Sequence, residues 1–185
     1  MAMRYSARVD HGQTLPDLWL LTDARNDAAL ERTLARLPER SGVVFRHYHL
    51  APEARRRRFD ALARLAREGG HCLVLAGALA DWPSWGAAGV YGAVEQVAPL
   101  AGGLRLGTAH GGDDLQRANA ARLDAVFLSP VFPTRSHPGS AVLGIRGFHV
   151  LAQQALVPVI ALGGMTAERA QALDWRRWGA IDGLC

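Results

Sequence analysis

The chain contains no lysine, so its 21 basic side chains are all arginine. That absence excludes a Schiff-base nucleophile and the lysine of a Walker-type phosphate loop. Cysteine is nearly absent too, and Cys72 and Cys185 are too few for a disulfide scaffold. No apolar run approaches the roughly 18 residues of a membrane span. The opening MAMRYSARVDHGQTLPD lacks the apolar block of a secretion signal. The expectation is a soluble, cytoplasmic protein with no membrane partner. No low-complexity linker divides the sequence, and 49% of its 185 residues are hydrophobic. We therefore expect one domain over 1–185, with 1–17 as an N-terminal extension ahead of the first strand.

The formal charge is +4, and its densest cluster is Arg55 to Arg58. These arginines sit in a helical pattern whose apolar face is Phe59, Leu62, Leu65 and Ala66. Without interleaved aromatics the cluster reads as a solvated helix face, not a nucleic-acid surface. Trp82, Trp85, Trp175 and Trp178 read as packing between helices and sheet.

Strand and helix signals alternate throughout. Apolar runs at Leu18–Leu21, Val43–His49, His71–Ala76, Gly89–Tyr91, Leu104–Leu106, 124–128, Pro158–Leu162 and Ala180–Leu184 predict eight strands. Helices are expected at Asp27–Leu37, from Pro52 (tolerated at a helix start), from Gly112 to Arg122, near Phe148–Ala155, and after Thr166 as N-cap. The third and fourth look stunted, and none follows the eighth strand. This alternation predicts an α/β (β/α)₈ TIM barrel. It would be compact, since such barrels typically use about 250 residues. The alternative is an open doubly wound sheet. An uncovered strand face would be hidden by the N-terminal segment or by a second copy in a homodimer.

The most informative stretch runs from Leu128 to Gly164. An apolar strand leads into SPVFPTRSHPG, and the next strand ends in Gly163–Gly164. Adjacent parallel strands that carry polar groups and glycines at their carboxyl ends describe walls of a ligand site. The glycines let main-chain N–H groups reach a phosphate, and Thr134, Ser136 and His137 can hydrogen-bond a ligand. Arg135 and Arg146 border this loop. His110, at a strand end, is a candidate base or ligand contact. His47 and His49 form an H-x-H pair that a metal-dependent hydrolase could use with His110 or Asp23. If Arg46 faces the interior, that pair faces the helices.

These segments resemble the thiamine phosphate synthase family, which also contains the thiazole tautomerases. LWLLTD (18–23) is similar to the family's L-Y-L-V-T-D. LGTAH (106–110) resembles G-x-S-x-H, with Thr108 at the serine and His110 retained. SPVFPTRSHPG resembles G-P-V-F-x-T-x-T-K, with Thr134 and Ser136 at the hydroxyl positions and His137 at the lysine. PVIALGGM matches P-V-x-A-I-G-G-I, which puts Gly163 and Gly164 on the phosphate-binding glycines. The resemblance implies an enzyme of thiamine biosynthesis, a transferase that joins an aminopyrimidine diphosphate to a thiazole phosphate. Pyrophosphate leaves with the help of Mg²⁺. The implied partners are small phosphorylated pyrimidine and thiazole ligands, and the implied catalytic contacts are Arg46, His110 and His137.

The sequence departs from the pattern at the charged positions. The family's Q-x-R-x-K becomes Val44, Arg46 and Tyr48, leaving Arg46 as the remaining diphosphate contact. Its N-D falls on Ala76 and Gly77. Its G-x-H-L-G-Q-x-D becomes GVYGAVEQ (89–96), with Glu95 only nearby. The Mg²⁺ ligands expected from the family are therefore not found, and the cofactor stays open. Pro130 stands at the tautomerase histidine and carries no titratable group. Three functions remain open: a divergent synthase, a non-catalytic or regulatory binder of thiazole phosphate or thiamine phosphate, and the metal hydrolase.

Overall fold

The structure is a computed structural model that describes residues 14–77, 79–136, 138–139 and 141–185. Eight parallel strands close into a barrel in sequence order, β1 pairing with both β2 and β8. They are β1 (Leu18–Leu21), β2 (Gly42–Phe45), β3 (Cys72–Ala76), β4 (Gly89–Ala93), β5 (Leu104–Ala109), β6 (Ala125–Leu128), β7 (Val159–Ala161) and β8 (Trp178–Ala180). Among the described residues, six α-helices lie between them: α1 (Leu30–Leu34), α2 (Pro52–Glu68), α3 (Val94–Val97), α4 (Gly112–Ala121), α5 (Gly144–Ala152) and α6 (Ala167–Leu173). Closure excludes the open doubly wound sheet.

The strands read as continuous apolar runs because both of their faces are covered. Alternate residues divide between two cores. Trp19, Leu21, Val44, Val74, Leu106, Phe127 and Ile160 fill the barrel interior. Leu20, Val43, Phe45, Val126 and Leu128 face the helices and meet Phe59, Leu62, Leu115 and Phe148. Trp19 fits inside because Gly42 has no side chain: a Cβ there would overlap the indole ring. Leu15 also belongs to the interior cluster, so the end of the expected N-terminal extension forms part of the barrel.

Several boundaries differ from expectation. β2 stops at Phe45, before His49, because His47 has φ of 30° and breaks the extended run. β8 is Trp178–Ala180, not Ala180–Leu184. Trp178 pairs with Leu18 and Ala161, and the chain then bends through Asp182–Gly183. The stunted third and fourth helices are seen as a 3-10 segment, Leu79–Trp85, and the four-residue α3. α1 is only Leu30–Leu34, preceded by a 3-10 turn at Asp27–Ala29. Thr166 caps α6 as expected, its side chain accepting the Arg169 N–H.

The Arg55–Arg58 cluster is not one solvated face. Arg55 is 8% exposed, and Arg58 turns inward to bond Asp27 and Glu31. Arg57 is exposed, and Arg56 pairs with Asp60 along the helix. Helix phase explains the split, since α2 carries its first turn over the top of β2 and β3. The tryptophans pack as expected: Trp85 lies against Phe45 and Phe59, and Trp175 edge-on to Phe148. Among the described residues, no helix is long and apolar enough to cross a membrane.

Candidate functional site

The carboxyl ends of the strands surround a cavity of about 560 Å³. Its walls include Arg46, Thr108, His110, Thr134, Ser136, Gly163 and Gly164, which therefore share one space. His137 lies outside the described residues. Arg135 also lines the cavity; Arg146, an exposed residue of α5, does not.

Gly163 and Gly164 form the wall after β7. Their φ angles, +94° and +63°, belong to the left-handed region that glycine tolerates. The main chain also runs close to the loop after β6. A Cβ on Gly163 would lie 2.6 Å from Pro130 Cα, and one on Gly164 would collide with the Pro133 carbonyl. Phe132 N donates to Gly163 O at 3.0 Å, and Val131 N to Leu162 O at 2.9 Å. These bonds hold the two loops side by side. Among the described residues, the Gly163 and Gly164 N–H groups have no main-chain partner. Arg169, from the first turn of α6, donates to Gly164 O and stacks over Phe132, 5.2 Å from the ring centre.

Arg46 stands on the opposite wall. Its main-chain N–H donates to Thr22 Oγ1 at 2.9 Å, and its guanidinium lies 3.7 Å from Asp23 and 5.8 Å from the Tyr48 ring centre. Burial alone would raise the Asp23 pKa. The hydrogen bonds from Arg25, with the charges of Arg25 and Arg46, outweigh that and hold it below the ordinary value. Tyr91, from β4, lines the cavity and packs edge-on to Phe127. Burial pushes its phenol up to about 12, against the opposing pull of Arg46, so it stays protonated. In the loop after β6, Ser136 N donates to Thr134 Oγ1 at 3.3 Å. His110 is well exposed; its main-chain N–H donates to Asp114 at 2.7 Å, and its Nδ1 lies 3.6 Å from the same carboxylate.

The H-x-H metal pair is overturned. His47 is 1% exposed and lies outside the cavity. Its Nδ1 is 2.7 Å from Thr22 Oγ1 and its Nε2 is 2.8 Å from Asp27, so both ring nitrogens are engaged. The positive φ after β2 turns this ring onto Phe45, away from the interior that receives Arg46.

The residues present do not fit the Mg²⁺ that the family resemblance implies. The end of β3 carries Ala76 and Gly77, and the Arg55 guanidinium donates to the Ala76 carbonyl. Glu95 is bound to Arg117 at 2.7 Å and is not a cavity wall. Among the described residues, no three His, Cys, Asp or Glu side chains converge on a metal position.

Sequence reasoning did not single out Tyr91, Arg169 or Asp182, all of which line the cavity. Tyr91 was findable as the last residue of the expected strand Gly89–Tyr91, although β4 runs on to Ala93. Arg169 lies in a helix first turn, and Asp182 in the stretch expected to be strand, so neither carried such a signal.

The family model for thiamine monophosphate synthase matches residues 18–177. A thiamine-phosphate synthase of Bacillus velezensis is 33% identical over 79 residues, covering 41% of this chain and 35% of that protein. One from Caldivirga maquilingensis is 29% identical over 89 residues, covering 47% and 43%. These matches thus span less than half of each relative. The solved thiamine phosphate pyrophosphorylase of Pyrococcus furiosus superposes with a TM-score of 0.72, over 90% of this chain and 85% of that one, at 18% identity. At that identity the superposition speaks for the fold alone, and the family model carries the assignment: the chain belongs to the thiamine monophosphate synthase family.

Proposed function

We propose that this barrel binds a thiazole phosphate and an aminopyrimidine diphosphate and joins them. The C–O bond between the pyrimidine methylene and the diphosphate breaks, and pyrophosphate leaves with the electron pair. The thiazole nitrogen lone pair then forms the new C–N bond. The observation that carries the reading is the joint placement of Gly163–Gly164 and the Thr134–Ser136 loop on one cavity that also holds Arg46, Arg135 and Arg169. Main-chain N–H groups and arginines are suited to phosphoesters, and cationic groups fixed where charge develops favour departure of an anion. In this reading the glycines take the monophosphate, Arg46 takes the diphosphate, and Thr108, Thr134, Ser136 and His110 fix the rings.

The test is incubation of the purified full chain with both phosphorylated precursors, following thiamine phosphate and pyrophosphate together. Equal release of the two is expected. No product, under conditions where a working synthase turns over, would overturn the transferase.

A second reading is a binder without chemistry. The end of β3 without carboxylates and the Glu95–Arg117 pair favour it. It predicts a rise in Tm with thiazole phosphate that Gly164→Asp abolishes, together with no turnover.

A further inference from the structure

Arg55 is an unusual charge in this molecule. It is buried beneath the loops after β2 and β3, yet among the described residues it has no carboxylate partner. Its Nε and Nη2 donate to Arg46 O at 3.2 and 3.1 Å, and Nη2 also donates to Ala76 O. Phe45 and Trp85 flank the guanidinium, each with its ring centre 5.3 Å away. The contrast with Arg58, one turn further along α2, is instructive, since Asp27 and Glu31 neutralise that group. A buried cation left without a counter-ion is costly, and an anion in the adjoining space would lower that cost.

The adjoining space is defined. Tyr48 lines the cavity, and its ring centre lies 5.8 Å from the Arg46 guanidinium and 5.7 Å from that of Arg55. The same ring crosses Gly77, where a Cβ would come within 3.1 Å of it and 3.8 Å of Arg55 Nη2. Asp23, at 3.7 Å from Arg46, is the carboxylate at this corner, and Arg25 holds it at 2.9 Å. Positive charge therefore exceeds negative charge there.

We infer that Arg46 and Arg55 together form a fixed cationic seat for a diphosphate group at the ends of β2 and β3, and that binding there requires no divalent cation. Arg46 meets the anion from the cavity wall. Arg55 acts from below, through its charge and by holding the Arg46 carbonyl. Two guanidinium groups supply the positive charge that a metal would otherwise bring, without needing carboxylates to hold them. The inference deepens the proposed reading by naming how the diphosphate end is held.

The test is calorimetric titration of the full chain with inorganic pyrophosphate, in EDTA and then in excess Mg²⁺, at fixed ionic strength. Saturable binding in EDTA is expected, with Kd changing less than about threefold on adding Mg²⁺. Arg46→Ala is expected to weaken binding about tenfold or more. Arg55→Gln keeps a donor but removes the charge, and should weaken binding about fivefold and flatten its salt dependence; Arg55→Lys should restore both. Binding that appears only with Mg²⁺, or no binding in either condition, would overturn the inference. So would a folded Arg55→Gln that binds like the parent. If both Arg55 variants fail to fold, the EDTA comparison and Arg46→Ala decide. Pyrophosphate binding in EDTA without product from the two precursors would defeat the proposed reaction and leave the seat standing. Turnover with strictly Mg²⁺-dependent pyrophosphate binding would do the reverse.

Discussion

Arg25 Nη2 donates to Ser136 Oγ at 2.9 Å, linking residues 111 positions apart across the top of the barrel. The same guanidinium holds Asp23 at 2.9 Å and Asp182 at 3.4 Å, so one side chain ties the loops after β1, β6 and β8. Such partly exposed contacts are each worth about 0.2–1 kcal/mol, too little to govern global stability. They can still order a loop that opens locally. Arg25→Ala should therefore leave the urea midpoint nearly unchanged while speeding amide exchange at residues 134–136. Unaltered exchange there would show that the loop is held by its own turns.

The buried His47 makes stability sensitive to acid. Burial pushes its pKa below the ordinary 6.5; the hydrogen bond to Asp27 opposes this, and the charges of His49 and Arg58 add to the depression. The unfolded chain then takes up a proton near pH 6.5, whereas the folded chain resists it. The unfolded state binds more protons in that window, so stability falls as pH drops below it. Asp27 adds a second loss at lower pH. Burial would raise its pKa, but the bonds to His47 and Arg58 lower it further. Urea unfolding should give a lower midpoint at pH 5.5 than at pH 7.5. In His47→Gln that difference should shrink, on a background destabilised by about 1–3 kcal/mol through loss of the imidazole's bonds to Thr22 and Asp27.

Gly163→Ala places a methyl group 2.6 Å from Pro130 Cα at a φ of +94°. Relief requires the loops after β6 and β7 to separate. The expected cost is about 1–3 kcal/mol in denaturant unfolding, with loss of the Tm rise given by thiazole phosphate. An alanine variant that melts and binds like the parent would show that this close contact is dispensable.

Tyr91→Phe tests the cavity floor. The ring packs edge-on to Phe127 through its apolar body, which phenylalanine preserves, so stability should move by less than about 1 kcal/mol. The hydroxyl is the only group lost, and it is a donor at neutral pH because burial pushes its pKa up to about 12. Product formation or pyrophosphate binding should fall about tenfold, roughly one hydrogen bond to a charged group. Unchanged binding and turnover would remove Tyr91 from ligand recognition.

Much of the fold was legible in local pattern. Leu18–Leu21 and Ala125–Leu128 announce themselves as strands because burial on both faces demands unbroken apolar runs. Pro52 and Thr166 mark helix starts through properties of single residues. The end of β2 and the placement of β8 were not legible, because a positive φ at His47 and the partners of Trp178 are set by neighbours distant in sequence.

The same division runs through the site. The order of apolar, polar and glycine residues was enough to predict a barrel, with the open sheet left as the alternative, and to point to Thr134, Ser136, Gly163 and Gly164, since each lies in a loop that follows a strand. Whether a side chain is buried, and what neutralises it, depends on residues that meet only when the barrel closes. Composition alone makes Arg55 and Arg58 equivalent members of one basic run. Closure gives Arg58 two carboxylates and leaves Arg55 with main-chain carbonyls and aromatic faces. Charge is written in the chain, but its compensation is a property of three-dimensional proximity.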